Sequence, residues 1–259
     1  MNRYRTFLAV MLLLILAVPL FGIAILSFSP TYGMDIFTTL RPSLRWWQEL
    51  WFDDSWGIAL ISSTLMGCGS ALVAIGVTLP AALAWRLEGS STARNALLLA
   101  ALSLTFPPVV MAVGLYRTII KAGLFDTAVG LALAHLSFTV PICAVVLGAR
   151  FRTTPTDLYL TAKSLGAGKV SSSIRWLLAT QRMTLLGCFA AAVLTSISEV
   201  TVALYVTDLA VPTIARRALT GVTRDLKPTG FAALTAWAII LYFLISLVMN
   251  RLSRRRATV

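Results

Sequence analysis

Apolar residues run almost without interruption through six stretches of the chain, near residues 7–28, 57–85, 95–115, 127–149, 183–206 and 230–250, and polar residues gather between them. Each stretch reaches the roughly 20 residues that a helix needs to cross a hydrocarbon core. The pattern predicts an all-α polytopic membrane protein with six transmembrane helices, a single transmembrane domain over residues 1–259 with no room for a separate soluble one. Gly, Pro and Ser interrupt the runs in ways that membrane helices tolerate, so the span ends are set only to within several residues. The first run follows Arg3 and Arg5, a basic start shared with secretory signals. Its length exceeds the usual signal core of about 7–15 residues, and the following Ser-Phe-Ser-Pro is no clear cleavage site, which favours a first span.

Composition agrees: 58% of residues are hydrophobic, 12% are charged and the mean hydropathy is +0.84, far from the roughly 25% charged residues of soluble domains. Charge then orients the spans. With the N-terminus inside, the inner segments hold Arg3, Arg5, Arg86, Arg94, Arg150, Arg152, Lys163, Lys169, Arg175, Arg182, Arg251, Arg254, Arg255 and Arg256, most of the 22 lysines and arginines. Only Glu88 and Asp157 oppose them there. The positive-inside rule therefore puts both termini in the cytoplasm. The formal net charge of +12 is then a topological signal and calls for no nucleic-acid partner. Cys68, Cys143 and Cys188 fall inside spans without CxxC or Cys/His spacing, as packing residues do, and imply no disulfide and no metal site.

The outer segment 29–56 carries Trp46, Trp47, Trp51 and Trp56. These predict an interfacial aromatic belt on a short surface helix, in preference to a site that stacks an organic cation. Polar connectors near 86–94, 116–126 and 207–229 separate other spans, and no internal repeat is legible. Nor is any catalytic constellation. His135 stands in a span without a partner at catalytic or ligand spacing, as a polar residue satisfied within a bundle would, and no GxxxxGK[ST] loop occurs. The chain is expected to be no enzyme and to bind no cofactor itself; any ATP-driven function must borrow its motor.

The most informative segment is the insert 150–182 between the fourth and fifth spans, too polar to cross a bilayer. Pro155-Thr156-Asp157 supplies a helix start with Thr156 or Asp157 as cap, and Leu158, Ala162 and Leu165 recur on one face. Gly166 ends that helix, and Ser171 to Ser173 cap a second one carrying Ile174, Leu177 and Leu178.

Here the chain resembles a family. Leu160-Thr161-Ala162-Lys163-Ser164-Leu165-Gly166-Ala167, lying before the second-last span, resembles the EAA loop of permease subunits in type I ABC importers. Ala162, the Ser164–Ala167 core and Leu178 match the pattern; Leu160, Thr161 and Ala179 stand where it has glutamate, alanine and proline. Trp56 to Ser63, Leu79-Pro80-Ala81-Ala82, Phe106-Pro107-Pro108-Val109-Val110 with Gly114-Leu115, Gly130 to His135 with Pro141, and Ser198-Glu199-Val200 look like the polyamine-type branch of spermidine, putrescine and aminoethylphosphonate systems.

The resemblance implies a six-helix subunit that pairs with a second permease subunit, as a hetero- or homodimer, and works with two ATP-binding subunits and a periplasmic or lipid-anchored solute-binding protein. ATP and Mg would be bound by the partner ATPase subunits. The EAA loop would be a coupling helix seated in an ATPase cleft, with Lys163 and Lys169 meeting acidic partners there or the second permease carrying the stronger motif. Substrate is expected to be polyamine-like, with aminoethylphosphonate, another organic solute or a metal ion as alternatives.

Glu199 is the one acid placed well inside a predicted span, and such a residue is a functional candidate by default. With Ser198 and His135 it is expected to line the translocation path or the subunit interface; an earlier end to span five would instead put it in water. A stand-alone secondary transporter or channel, and a membrane scaffold, are the competing classes.

Overall fold

The computed structural model describes residues 2–31, 41–208, 210–237 and 239–240. Among them no strand occurs; the elements are helices α1 (Asn2–Leu26), α2 (Arg45–Phe52), α3 (Asp54–Glu88), α4 (Ser91–Leu102), α5 (Pro108–Lys121), α6 (Ala128–Thr153), α7 (Asp157–Ser164), α8 (Lys169–Thr180), α9 (Arg182–Ser198), α10 (Thr201–Val206) and α11 (Ile214–Thr223). Residues 229–237 are helical as well. Most of the expected sixth span, and the basic residues from Arg251 onward, lie outside the described residues.

Among the described residues three helices are by themselves long and apolar enough to cross a membrane: Thr6–Leu26 within α1, α3 and α6. The expected third and fifth spans are broken. In the stretch 95–115 a 3₁₀ turn at Ser103–Thr105 follows α4, and the chain then bends by 108° into α5. The cause is Pro107-Pro108: two adjacent residues without an N–H end one helix, and Pro108 opens the next at a position where its missing donor costs nothing. In the stretch 183–206, α9 stops at Ser198 and α10 starts at Thr201.

The chain divides into two compact units, residues 1–58 with 216–259 and residues 59–215. In the first unit, side-chain bonds anchor the tryptophans. Trp46 is fully buried and its Nε1 donates to the Ser29 carbonyl at 2.6 Å; Trp47 stacks on Phe28 at 5.7 Å and donates to Ser27 Oγ at 3.3 Å. Arg217 covers the ring of buried Trp56 at 4.9 Å and reaches Asp53 at 3.0 Å, and Lys227 pairs with Glu49 at 3.2 Å. The expected aromatic belt is thus corrected. Of the four tryptophans only Trp51, 77% exposed, has the free ring a belt needs, because indole N–H groups and cations draw the others inward.

The 59–215 unit is organised around α6, which buries Leu131, Ala134, His135, Cys143, Ala144, Leu147 and Phe151 on one side. The core joining α3, α4, α6, α8 and α9 is built from small residues, Ala71, Ala74, Ala82, Ala144, Cys143, Cys188 and Ala192, around Leu147, Phe151 and Trp176. Small side chains let membrane helices approach closely, the main source of attraction where lipid removes the hydrophobic drive. The cysteines sit in this packing as expected. At the start of α6 the Thr127 hydroxyl accepts from the Gly130 N–H at 3.0 Å, and a Cβ on Gly130 would lie 2.0 Å from the Leu124 carbonyl oxygen, so only glycine fits.

Candidate functional site

The insert forms a helix, a glycine turn and a second helix. Gly166 has φ +85°, its N–H donates to the Lys163 carbonyl at 3.0 Å, and the Ala167 N–H donates to the Ala162 carbonyl at 3.1 Å. Those two bonds make a Schellman motif, which stops α7 and requires a residue at ease in the left-handed region. Thr156 occupies the N-cap position without a side-chain cap bond. The second helix begins earlier than its serines suggest: Gly168 is the N-cap and Ser171 to Ser173 lie inside α8, with Ser172 Oγ donating to the Ala167 carbonyl at 3.3 Å.

The inward face of α7 is Tyr159 and Ala162, both buried, whereas Leu158, Leu160 and Leu165 are exposed, as are Val170, Ile174 and Leu178 of α8. The face expected from Leu158, Ala162 and Leu165 is therefore split, because Tyr159 and Ala162, three positions apart, turn inward while both leucines turn out. Thr161, Lys163, Ser164 and Gly166 are exposed around them and Ala167 is half-buried. Lys169 has its acidic partner in its own chain, Glu88 at 2.7 Å, which raises the lysine pKa through that hydrogen bond and charge.

Behind this exposed surface the insert is held by buried polar groups. Arg86 of α3 donates from Nε and Nη2 to the Thr154 carbonyl at 3.1 and 2.7 Å, and Thr154 is the C-cap of α6. Gln181, fully buried between α8 and α9, donates from Nε2 to Thr154 Oγ1 at 2.7 Å, and that hydroxyl lies 3.0 Å from the Arg150 carbonyl. Trp176 donates to the Pro155 carbonyl at 2.8 Å and meets Phe151 edge-on at 5.3 Å.

The other candidates gather further along the same helices. His135 is 2% exposed, and its Nδ1 lies 2.6 Å from Ser196 Oγ, which lies 3.3 Å from Ser70 Oγ. His135 Nε2 is buried and has no partner among the described residues. One turn beyond Ser196, Glu199 leaves the helix with ψ 109° and its Oε1 accepts the Val202 N–H at 3.1 Å, capping α10. The expectation of an acid in mid-helix is corrected: half-exposed Glu199 and exposed Ser198 stand at a helix break. Irregular backbone at membrane depth is tolerated where it is buried in protein or lines a cavity. The turn before α6 closes on the end of α10, where Asp126, at φ 55°, accepts from the Asp208 N–H at 2.7 Å and the Ala210 N–H at 3.2 Å. Nothing in the sequence spacing of Ser70 and Ser196 signals their pairing across 126 positions.

An apolar groove of about 330 Å³ opens between α3 and α6, lined by residues such as Leu65, Met66, Val73, Val129 and Leu133, with Ser70 at its edge. It offers a polar solute almost nothing to bind. Among the described residues no group of three or more His, Cys, Asp or Glu is placed to hold a metal.

No family model matches the sequence. Over 116 residues the chain is 36% identical to the trehalose transport system permease protein SugB of Mycobacterium tuberculosis (strain CDC 1551 / Oshkosh). That match covers 44% of this chain and 42% of the relative, less than half the length of either. A chain in the crystal structure of a bacterial ABC transporter involved in the import of the acidic polysaccharide alginate superposes with a TM-score of 0.72 at 11% identity, covering 96% of this chain and 95% of that one. The fold of this protein is therefore that of an ABC importer permease.

Proposed function

We propose that this chain is a transmembrane permease subunit of a type I ABC importer for a sugar-type solute. The observation that carries the proposal is the insert: a capped helix, a Schellman glycine and a second helix, with Leu158, Leu160, Leu165, Val170 and Ile174 exposed, in a chain of importer-permease fold. An exposed apolar helix surface backed by a buried polar frame suits a coupling element that docks in an ATPase cleft. The shape of the loop persists although Leu160 replaces the family glutamate, because Gly166 and Ala162 provide its turn.

Two ATP-binding subunits, a second permease subunit and a solute-binding protein complete the machine, and ATP is hydrolysed in the partners. The membrane is the bacterial inner membrane, with the insert and both termini in the cytoplasm. A saccharide takes the place of the polyamine first expected, since the similar proteins are named for trehalose and alginate transport. His135, Ser196, Ser198 and Glu199 belong to the translocation path or the interface with the second permease, and selectivity resides mainly in the binding protein.

The test is co-expression with the candidate ATPase, second permease and binding protein, followed by purification and reconstitution into liposomes. Stoichiometric ATPase subunits and ATP-dependent uptake of a disaccharide such as trehalose are expected. Uptake by this chain alone, driven by an ion gradient, would establish a secondary transporter instead; uptake of spermidine in place of sugar would restore the polyamine expectation.

A further inference from the structure

Two polar ties join the same three helices of the 59–215 unit: Arg86, Thr154 and Gln181 where the insert leaves the helices, and Ser70, His135 and Ser196 further along them. At 1.5 Å per residue, Arg86 and Ser70 are about 24 Å apart along α3, and Gln181 and Ser196 about 22 Å apart along α9. Small-residue packing fills the interval.

Between α8 and α9 the helix axis turns by 78°, and the turn is made at one residue, Gln181. A single junction residue between two helices is a natural hinge, able to absorb a rotation of α8 without passing it to α9. Here the junction is not free. The Gln181 side chain is fully buried and bonded to Thr154; its N–H donates to the Leu177 carbonyl at 2.8 Å and its carbonyl accepts from Leu185 at 2.9 Å. Arg86 adds a charge-assisted, two-pronged bond to the same Thr154 at the C-terminus of α6, where the helix dipole favours a cation. One residue, Thr154, thus receives α3 through its carbonyl and α9 through its hydroxyl.

We propose that Arg86, Thr154 and Gln181 are positioning residues that lock the α8–α9 hinge, making the coupling helices and spans α3, α6 and α9 one lever whose motion emerges at the Glu199 break. The proposal rests on the assignment of α7–α8 as the surface moved by the ATPase. Lys169 and Glu88, paired in the open, contribute little to the lock, because solvent screens them.

Two measurements on the full reconstituted complex test it. The first is amide hydrogen exchange across residues 177–186; the second is ATP hydrolysed per solute imported. In Thr154→Val, which removes only the hydroxyl, and in Gln181→Met, exchange at the junction should accelerate, and ATP used per solute should rise roughly 2- to 30-fold. Arg86→Met should do the same, with partial rescue by Arg86→Lys. Unchanged exchange in Thr154→Val and Gln181→Met would overturn the lock, and faster exchange with unchanged coupling would overturn its role in transmission. If Arg86→Met fails to assemble, the near-isosteric Thr154→Val still decides. Should the unmodified chain bind no ATPase, the functional assignment fails, while exchange still reports whether the hinge is locked.

Discussion

The two polar ties across α3, α6 and α9 are built from different chemistry. At the insert end a guanidinium, a carboxamide and an indole N–H donate to backbone carbonyls or to the Thr154 hydroxyl, at 2.7–3.1 Å. At the other end two hydroxyls and an imidazole share one chain of contacts and the Ser70 to Ser196 link is 3.3 Å; among the described residues each tie leaves a buried polar atom without a partner, Gln181 Oε1 at the first and His135 Nε2 at the second. Charge-assisted and carbonyl-directed bonds hold geometry; hydroxyl to hydroxyl contacts can exchange partners by rotating. The first tie suits transmission of force, the second a place where helices shift and polar groups change partners.

The difference is sharpest in substitutions. Trp176→Ala should do the most damage, about 3–5 kcal/mol for a fully buried indole that also loses its bond to Pro155. A melt of the purified protein would show it, and a stable Trp176→Ala variant would mean that the insert end is not held as described. Ser196→Ala comes next. It strips His135 Nδ1 of its contact and should cost about 1–3 kcal/mol as a buried group left unsatisfied. Ser70→Ala, which spares the imidazole contact, should cost less; equal losses would mean that the second tie acts as a rigid unit.

Gly166→Val places a β-branched residue at φ +85° and should cost about 1–2 kcal/mol through backbone strain, the space around it being open. Uptake should fall with it, and Gly166→Asn, which tolerates the left-handed region, should retain more. Normal uptake in Gly166→Val would remove the turn from the proposed coupling role. Lys169→Ala should have the smallest effect, with no change in melting beyond error, since its partner Glu88 is solvent-exposed as well.

In the first unit the sensitivity to acid centres on Asp53. The Asp53 carboxyl lies below the usual carboxylate range because Ser55 donates to it and the Arg217 guanidinium stands beside it. Its folded pKa being depressed, the stabilisation is complete above the unfolded value of about 4 and is lost as pH falls through the folded one. Arg217→Gln should weaken this acid-dependent loss, measured as the change in melting temperature between pH 6 and pH 3.

What could be read in advance follows from the range of the interactions involved. Gly166 and the polar insert were legible because a helix stop and an amphipathic segment are written within a few residues. Three consecutive serines from Ser171 look like caps, whereas α8 begins earlier, with Gly168 as its N-cap directly after the turn that ends α7. The turn at Pro107-Pro108 is marked by its two prolines, but it lies inside an apolar run long enough to span, and the run's length gives no sign of the 108° bend. The Glu199 break has neither glycine nor proline; beyond it the Glu199 carboxylate accepts the Val202 N–H, and nothing local announces that.

By itself the sequence determined the helical membrane class, the insert and its glycine turn, since hydropathy, charge bias and left-handed backbone are properties of short windows of chain. Only the tertiary structure decided that Arg86, Thr154 and Gln181 meet, that Ser196 partners His135, and that three of the four tryptophans between residues 29 and 56 turn inward. Those pairings join residues at least 17 positions apart. A side chain's partner at such a separation is set by how helices pack, which no local pattern of residues encodes.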